Sequence, residues 1–131
     1  MKNLVITHID IDGYGCMILL MRLFPDYEVI NTDYGCEEVQ MIRYKMLNAD
    51  NLIITDLSVS PEFATKLNDQ LVNHEKLSVL LLDHHDSAKE SLDPLNYSWI
   101  HIDLSKSGTL LVLDRASILV FSSANLADAS F

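Results

Sequence analysis

Three short stretches of this chain concentrate side chains that can do chemistry. In THIDIDGYG, His8, Asp10 and Asp12 alternate ahead of Gly13; in TDLSVS, Asp56 stands alone; in LLLDHHDSAK, an apolar run ends in Asp83, His84 and His85. Burying such groups unpaired costs several kcal/mol each by the usual order of magnitude. Carboxylates brought together without cations also repel one another and raise one another's pKa values. Divalent metal ions remove both difficulties. Alternation in an extended segment would put His8, Asp10 and Asp12 on one face, as a chelate requires, with Gly13 allowing a tight turn into a helix. The donors are oxygen and imidazole without thiolate, which favours manganese, magnesium, iron or cobalt over structural zinc. Two ions about 3.5–4 Å apart, bridged by a carboxylate, form the clamp used for hydrolysis of phosphoesters and phosphoanhydrides.

The elements that must position these residues are legible as alternating runs. Lys2 to Thr7 reads as a buried strand and Gly13 to Phe24 as a largely buried helix stopped by Pro25. Tyr27 to Thr32 is a second strand, followed by a helix from about Cys36 to Leu47 with Glu37 and Glu38 favouring its N-terminal end. Asn51 to Thr55 is a third strand, and Ser60 with Pro61 opens a helix running to about Asn73. Leu77 to Leu82 and Tyr97 to Ile102 are strands four and five, joined by a loop, and Ser107 to about Phe121 is a final helix. Strands that are nearly continuous apolar runs, alternating with helices, predict an α/β fold: an open, mostly parallel five-stranded sheet with helices on both faces, in a single domain. In such sheets ligands bind beyond the carboxyl ends of the strands. Every predicted strand delivers a carboxylate there: Asp10 and Asp12, Asp33, Asp56, Asp83 and Asp103. Asp33 and Asp103 are read as ordinary turn or cap residues.

The 131 residues allow one domain with a real core. Hydrophobic residues make up 49% and charged residues 21%, the usage of a folded globular chain. A net charge of -10 disfavours long duplex nucleic acid as a partner, because duplex binding draws on a basic surface. The N-terminal apolar stretch breaks at His8, so neither a signal peptide nor a membrane span is expected, and the chain is placed in the cytoplasm. Cys16 and Cys36 read as reduced, buried thiols, His74 as a solvated surface residue, and His101 as one residue lining a strand face.

The motifs H-x-D-x-D-G at His8 to Gly13, the isolated Asp56 in IITDLS, and DHH at Asp83 to His85 resemble the DHH phosphoesterase family. That family includes RecJ-type exonucleases, oligoribonucleases, cyclic-dinucleotide phosphodiesterases and family II pyrophosphatases. KSGTLLVLD, Lys106 to Asp114, is similar to the helix start that follows DHH in many members, so the likeness runs from Leu4 to about Leu113. It implies two divalent ions, Mn²⁺ foremost with Mg²⁺ or Co²⁺ as alternatives. His8 and Asp10 would bind one, Asp12 and His84 the other, and Asp56 would bridge both. His85 would contact the scissile phosphate and Asp83 would orient its neighbours, these two making up the catalytic pair. The reaction implied is hydroxide attack on the phosphodiester or phosphomonoester bond of a small nucleotide or short single-stranded oligonucleotide.

Two departures qualify the likeness. The family's fourth-motif Asp has only Asp114 and Asp128 as candidates. The C-terminal domain that grips substrate in the family has no counterpart here, so residues 1–131 are expected to be a DHH-type domain alone. The alternative is a non-catalytic metal- or nucleotide-binding module, or a truncated inactive remnant. A sheet edge or apolar face left uncovered would favour a homodimer.

Overall fold

The computed structural model describes residues 1–33 and 38–115. The elements run β1 (Asn3–His8), α1 (Ile11–Leu23), β2 (Glu28–Thr32), α2 (Val39–Asn48), β3 (Asn51–Thr55), α3 (Pro61–Val72), β4 (Ser78–Asp83), α4 (Asp86–Leu92) and β5 (Ile100–Ile102), with residues 108–115 helical after them. The five strands form one sheet in the order β2-β1-β3-β4-β5, and every pairing is parallel. From β1 the chain crosses to β2 on one side, then returns over β1 to β3 on the other. The direction of winding therefore reverses between β1 and β3, which opens a crevice at their carboxyl ends.

Strand periodicity divides the core into two. Leu4 and Ile6, Leu52 and Ile54, and Leu81 point to one face and pack with Ile42 and Met46 of α2, Phe63 and Leu67 of α3, and Leu92 of α4. Val5, Ile53 and Leu82 point to the other face, against Cys16 and Leu20 of α1 and Leu111 and Val112 of the 108–115 helix. Each such side chain buried stabilises the fold by about 1.5–3 kcal/mol relative to exposure. α1 also turns Ile11, Tyr14, Ile18 and Met21 to solvent, so it is apolar on more than its packed side. Among the described residues no helix is long and apolar enough to cross a membrane.

The expected α/β architecture is present, and the Ser60-Pro61 start of α3 is where its residue types place it: Ser60 Oγ accepts from the Phe63 N–H. Two elements differ from the sequence expectation. Asp86 to Leu92, expected as loop, forms α4, a seven-residue helix that buries only Ala88 and Leu92 and so carries too short a pattern to announce itself. β5 is confined to Ile100–Ile102. Tyr97 and Trp99 lie outside it, stacked on each other with ring centroids 5.9 Å apart, and the Trp99 indole N–H donates to Asn68 Oδ1 on α3.

Lys76, just before β4, is buried, and its ammonium lies among the last carbonyls of α2: it donates to Met46 O at 2.7 Å, Leu47 O at 3.1 Å and Ala49 O. A cation at this end answers both the unpaired carbonyls and the negative end of the helix dipole. Burial holds the Lys76 ammonium below the usual lysine range. Lys76→Met would keep the apolar stem but orphan these acceptors, so urea unfolding should show a loss of about 2 kcal/mol with an unchanged slope.

Candidate functional site

The winding reversal between β1 and β3 brings four strand ends into one crevice. β1 ends at His8, directly beside Thr32 at the end of β2. β3 ends at Thr55, in register with Thr7 of β1 on one side and Leu82 of β4 on the other. The residues that follow, Asp33, Asp56, and Asp83 with His84 and His85, therefore emerge at one edge.

His8, Asp10 and Asp12 do converge there, although not by alternation in an extended segment. The Asp10 carboxylate accepts from the Gly13 N–H at 2.7 Å and so caps α1, which starts at Ile11 and includes Asp12 in its first turn. A Cβ on residue 13 would lie 1.8 Å from His8 O, so this close return of the helix onto the strand end requires glycine. Strand, cap and first helical turn then each supply one side chain.

Asp56 sits at the centre. It is 0% exposed, with a left-handed backbone (φ 54°), a conformation that Asp tolerates better than most residues and that aims its side chain into the crevice. Its Oδ1 lies 2.6 Å from His84 Nε2, which is also 3.2 Å from Asp12 Oδ2. Its Oδ2 finds no hydrogen-bond donor among the described residues and lies 3.9 Å from His8 Nδ1. Burial pushes the Asp56 carboxyl up to about 6, and the adjacent Asp10 carboxylate adds to this, by accepting a hydrogen bond from the protonated form and by repelling the ionised one.

Asp83, also 0% exposed, holds the two imidazoles in place. Its Oδ1 accepts from the His84 backbone N–H at 2.8 Å and lies 2.7 Å from His85 Nδ1, while its Oδ2 is buried without a donor among the described residues. His8 is gripped on both ring nitrogens, by Asp10 Oδ2 and by Asp33 Oδ1, each at 2.8 Å. Burial draws the His8 pKa down, but these carboxylates outweigh it and the net shift is upward. Asp12 is tied to the start of the 108–115 helix: it accepts from Gly108 N at 2.7 Å, Thr109 N at 2.8 Å and Thr109 Oγ1 at 2.6 Å. Burial opposes ionisation of Asp12, yet these donors prevail and its carboxyl is held below the usual range.

Among the described residues two groups could hold metal ions: Asp56 with Asp83, His84 and His85, and Asp56 with His8 and Asp10, each offering ligand atoms within 4.8 Å of one another. The donor set suits a hard or borderline divalent cation, and the orphaned oxygens of Asp56 and Asp83 are the acceptors such a cation would satisfy. Asp114 is in neither group; it pairs with Lys106. Asp128 and Cys36 lie outside the described residues. Cys16 is fully buried, its thiol pushed up to about 12 chiefly by burial. His74 is exposed and His101 stays in β5, where burial and then Arg115 lower its pKa. The residue that sequence reading passed over is Asp33. A lone Asp at a strand end is most economically a turn residue, and only the side-by-side pairing of β1 and β2 reveals its bond to His8.

No family model matches the chain. It is similar to a 3',5'-cyclic-nucleotide phosphodiesterase of Helicobacter pylori (strain ATCC 700392 / 26695), 29% identical over 121 residues that cover 83% of this chain and 34% of that protein. Among solved structures it is similar to an uncharacterized protein from Helicobacter pylori G27, with a TM-score of 0.73 and 28% identity over 87% of this chain and 35% of the other. The chain thus spans about a third of the length of each. Among the described residues, the acid and imidazole cluster could hold a metal ion.

The raised Asp56 pKa has a signed consequence for stability. Its folded value of about 6 exceeds the unfolded value of 3.8, so the folded state holds the extra proton between them. Its relative stabilisation is full below about pH 4 and lost as pH rises through about 6. In divalent-free buffer, Asp56→Asn should therefore gain stability over the native chain across this window. The gain should level off at ~3 kcal/mol above pH 7, as read by urea unfolding at each pH.

Proposed function

We propose that this chain is a DHH-type, divalent-metal-dependent phosphoesterase domain that uses Mn²⁺ and hydrolyses phosphodiester or phosphomonoester bonds of small or single-stranded nucleotides. The observation that carries this reading is the buried Asp56 carboxylate between two imidazole and carboxylate groups, with one oxygen unpaired. A phosphoesterase with two cations needs such a shared anionic centre, whereas a purely structural site would pair or exclude it.

In this reading His8 and Asp10 would hold one ion, Asp12 and His84 would hold the other, and Asp56 would serve both. Bound cations would lower the pKa of a water at neutral pH and neutralise the charge that develops on phosphate. The chain's own residues do the positioning. Asp83 fixes the backbone of His84 and the ring of His85, leaving the half-exposed His85 to face the crevice and donate to a phosphate oxygen. Asp33, by holding His8 Nε2, leaves Nδ1 directed at Asp10 and Asp56. The Asp12 link to Gly108 and Thr109 ties that carboxylate to a helix start, so its orientation is set before any ion arrives. The similar phosphodiesterase acts on 3',5'-cyclic nucleotides by its name, which makes a small nucleotide the first substrate class to examine.

Calorimetric titration with Mn²⁺, alongside hydrolysis of a 3',5'-cyclic nucleotide and of a short single-stranded oligonucleotide, tests this. The native chain should bind two ions and turn over at least one substrate. Asp56→Ala should weaken both sites and slow turnover at least a hundredfold. Absence of metal binding would refute the proposal, and tight ion and nucleotide binding without product would establish the non-catalytic module in its place.

A further inference from the structure

Beside the cluster lies a cavity of about 240 Å³ that the metal chemistry does not use. It opens between the end of β2, the first turns of α2 and the β3–α3 loop, and its walls include Val39, Ile42, Arg43, Ser58, Val59 and Phe63. Two features join it to the site. Asp33 lines the cavity and bonds His8 Nε2 at 2.8 Å, and Ser58, also in the lining, is two residues beyond Asp56. Its chemistry is unlike that of the crevice. The walls are mainly aliphatic and aromatic, and the cation among them, Arg43, lies over the Phe63 ring at 5.6 Å and has no carboxylate partner among the described residues. In a chain with nine Lys and Arg against nineteen Asp and Glu, an arginine next to an acidic cluster that pairs with no acid among the described residues is notable.

We propose that this cavity seats the heterocyclic base of a nucleotide whose phosphate lies at the Asp56 cluster. The inference rests on the phosphoesterase reading above and narrows its substrate class. Apolar walls contribute nothing to recognising inorganic pyrophosphate or a bare phosphate, whereas a flat heterocycle gains from burying its faces against them. Its ring nitrogens and carbonyls are acceptors, matched by the Arg43 guanidinium, whose plane also stacks on aromatic rings. A volume below the roughly 300–1,000 Å³ of pockets for larger ligands suits one ring system at a time. The substrate selected is then a nucleotide held by one base, with further nucleotides outside the cavity.

The test uses the full chain and two probes, adenosine 5'-monophosphate and inorganic phosphate, followed by calorimetry on the Mn²⁺-loaded chain and by side-chain methyl NMR with diamagnetic Mg²⁺ in place of Mn²⁺. The monophosphate should shift the methyl signals of Val39, Ile42 and Val59 while inorganic phosphate leaves them in place. Val59→Trp, which fills the cavity, should weaken the monophosphate at least tenfold and leave phosphate affinity unchanged. Arg43→Ala, a second variant that removes no aliphatic wall, should also weaken the monophosphate selectively. Monophosphate binding that leaves these methyls unmoved and ignores both substitutions would overturn the base site while the phosphoesterase reading stands. Failure of both probes to bind the Mn²⁺-loaded chain would overturn the two together.

Discussion

The buried carboxylate of Asp56 is the constraint around which the rest of the structure is arranged. It has no exposed surface, it stands in a left-handed backbone conformation, and one of its oxygens has no donor among the described residues. Left alone, such a group would neutralise itself, and its carboxyl is indeed pushed up to about 6. The fold surrounds it with further acids rather than with bases alone: Asp10 beside it, Asp12 across His84, and Asp83 behind the imidazoles. Carboxylates concentrated in this way carry an electrostatic cost that the apo chain bears and a bound cation would relieve.

The cost is borne because the scaffold beneath is rigid. Parallel strands of nearly continuous apolar residues form a sheet covered on both faces, and the strand ends are held in register by backbone pairing rather than by the polar cluster itself. Around the cluster, polar contacts act on orientation. Asp83 sets the DHH imidazoles, Asp33 and Asp10 hold His8 from two sides, and Asp12 doubles as cap for the 108–115 helix. A Cβ on residue 108 would come within 3.0 Å of both Asp12 Oδ2 and Asp56 Oδ1, so the helix start approaches the centre as closely as a glycine permits.

Most of the architecture was legible before the structure because local pattern and global fold agree in β1, β3 and β4, which are buried runs bounded by acids, and in α3, which carries its own cap and proline. Where they part, the reason is physical. α4 is too short to show a helical period, and β5 is cut to three residues because the Ile100 N–H turns back to Tyr97 O and closes a turn just ahead of the strand. The His8 to Asp12 segment looked like an extended chelate, but the Asp10 side chain captures the Gly13 N–H and turns the chain into helix two residues earlier than alternation implies. Asp114 looked like a candidate by its place after the glycine-containing helix start, and its contact with Lys106 is visible only in three dimensions.

The sequence by itself determined the residue types of the cluster, the strands that deliver them and the edge at which they emerge, because these depend on hydrophobic periodicity and on the cost of burying charge, both of which are local. Only the tertiary structure decided which of the acids meet. The order β2-β1-β3-β4-β5 sets β1 between β2 and β3, so Asp33 reaches His8 and Asp56 reaches His84 across 25 and 28 residues of chain. No local pattern encodes such neighbours: they follow from strand pairing and helix packing summed over the whole sheet, and the cavity beside them arises in the same way.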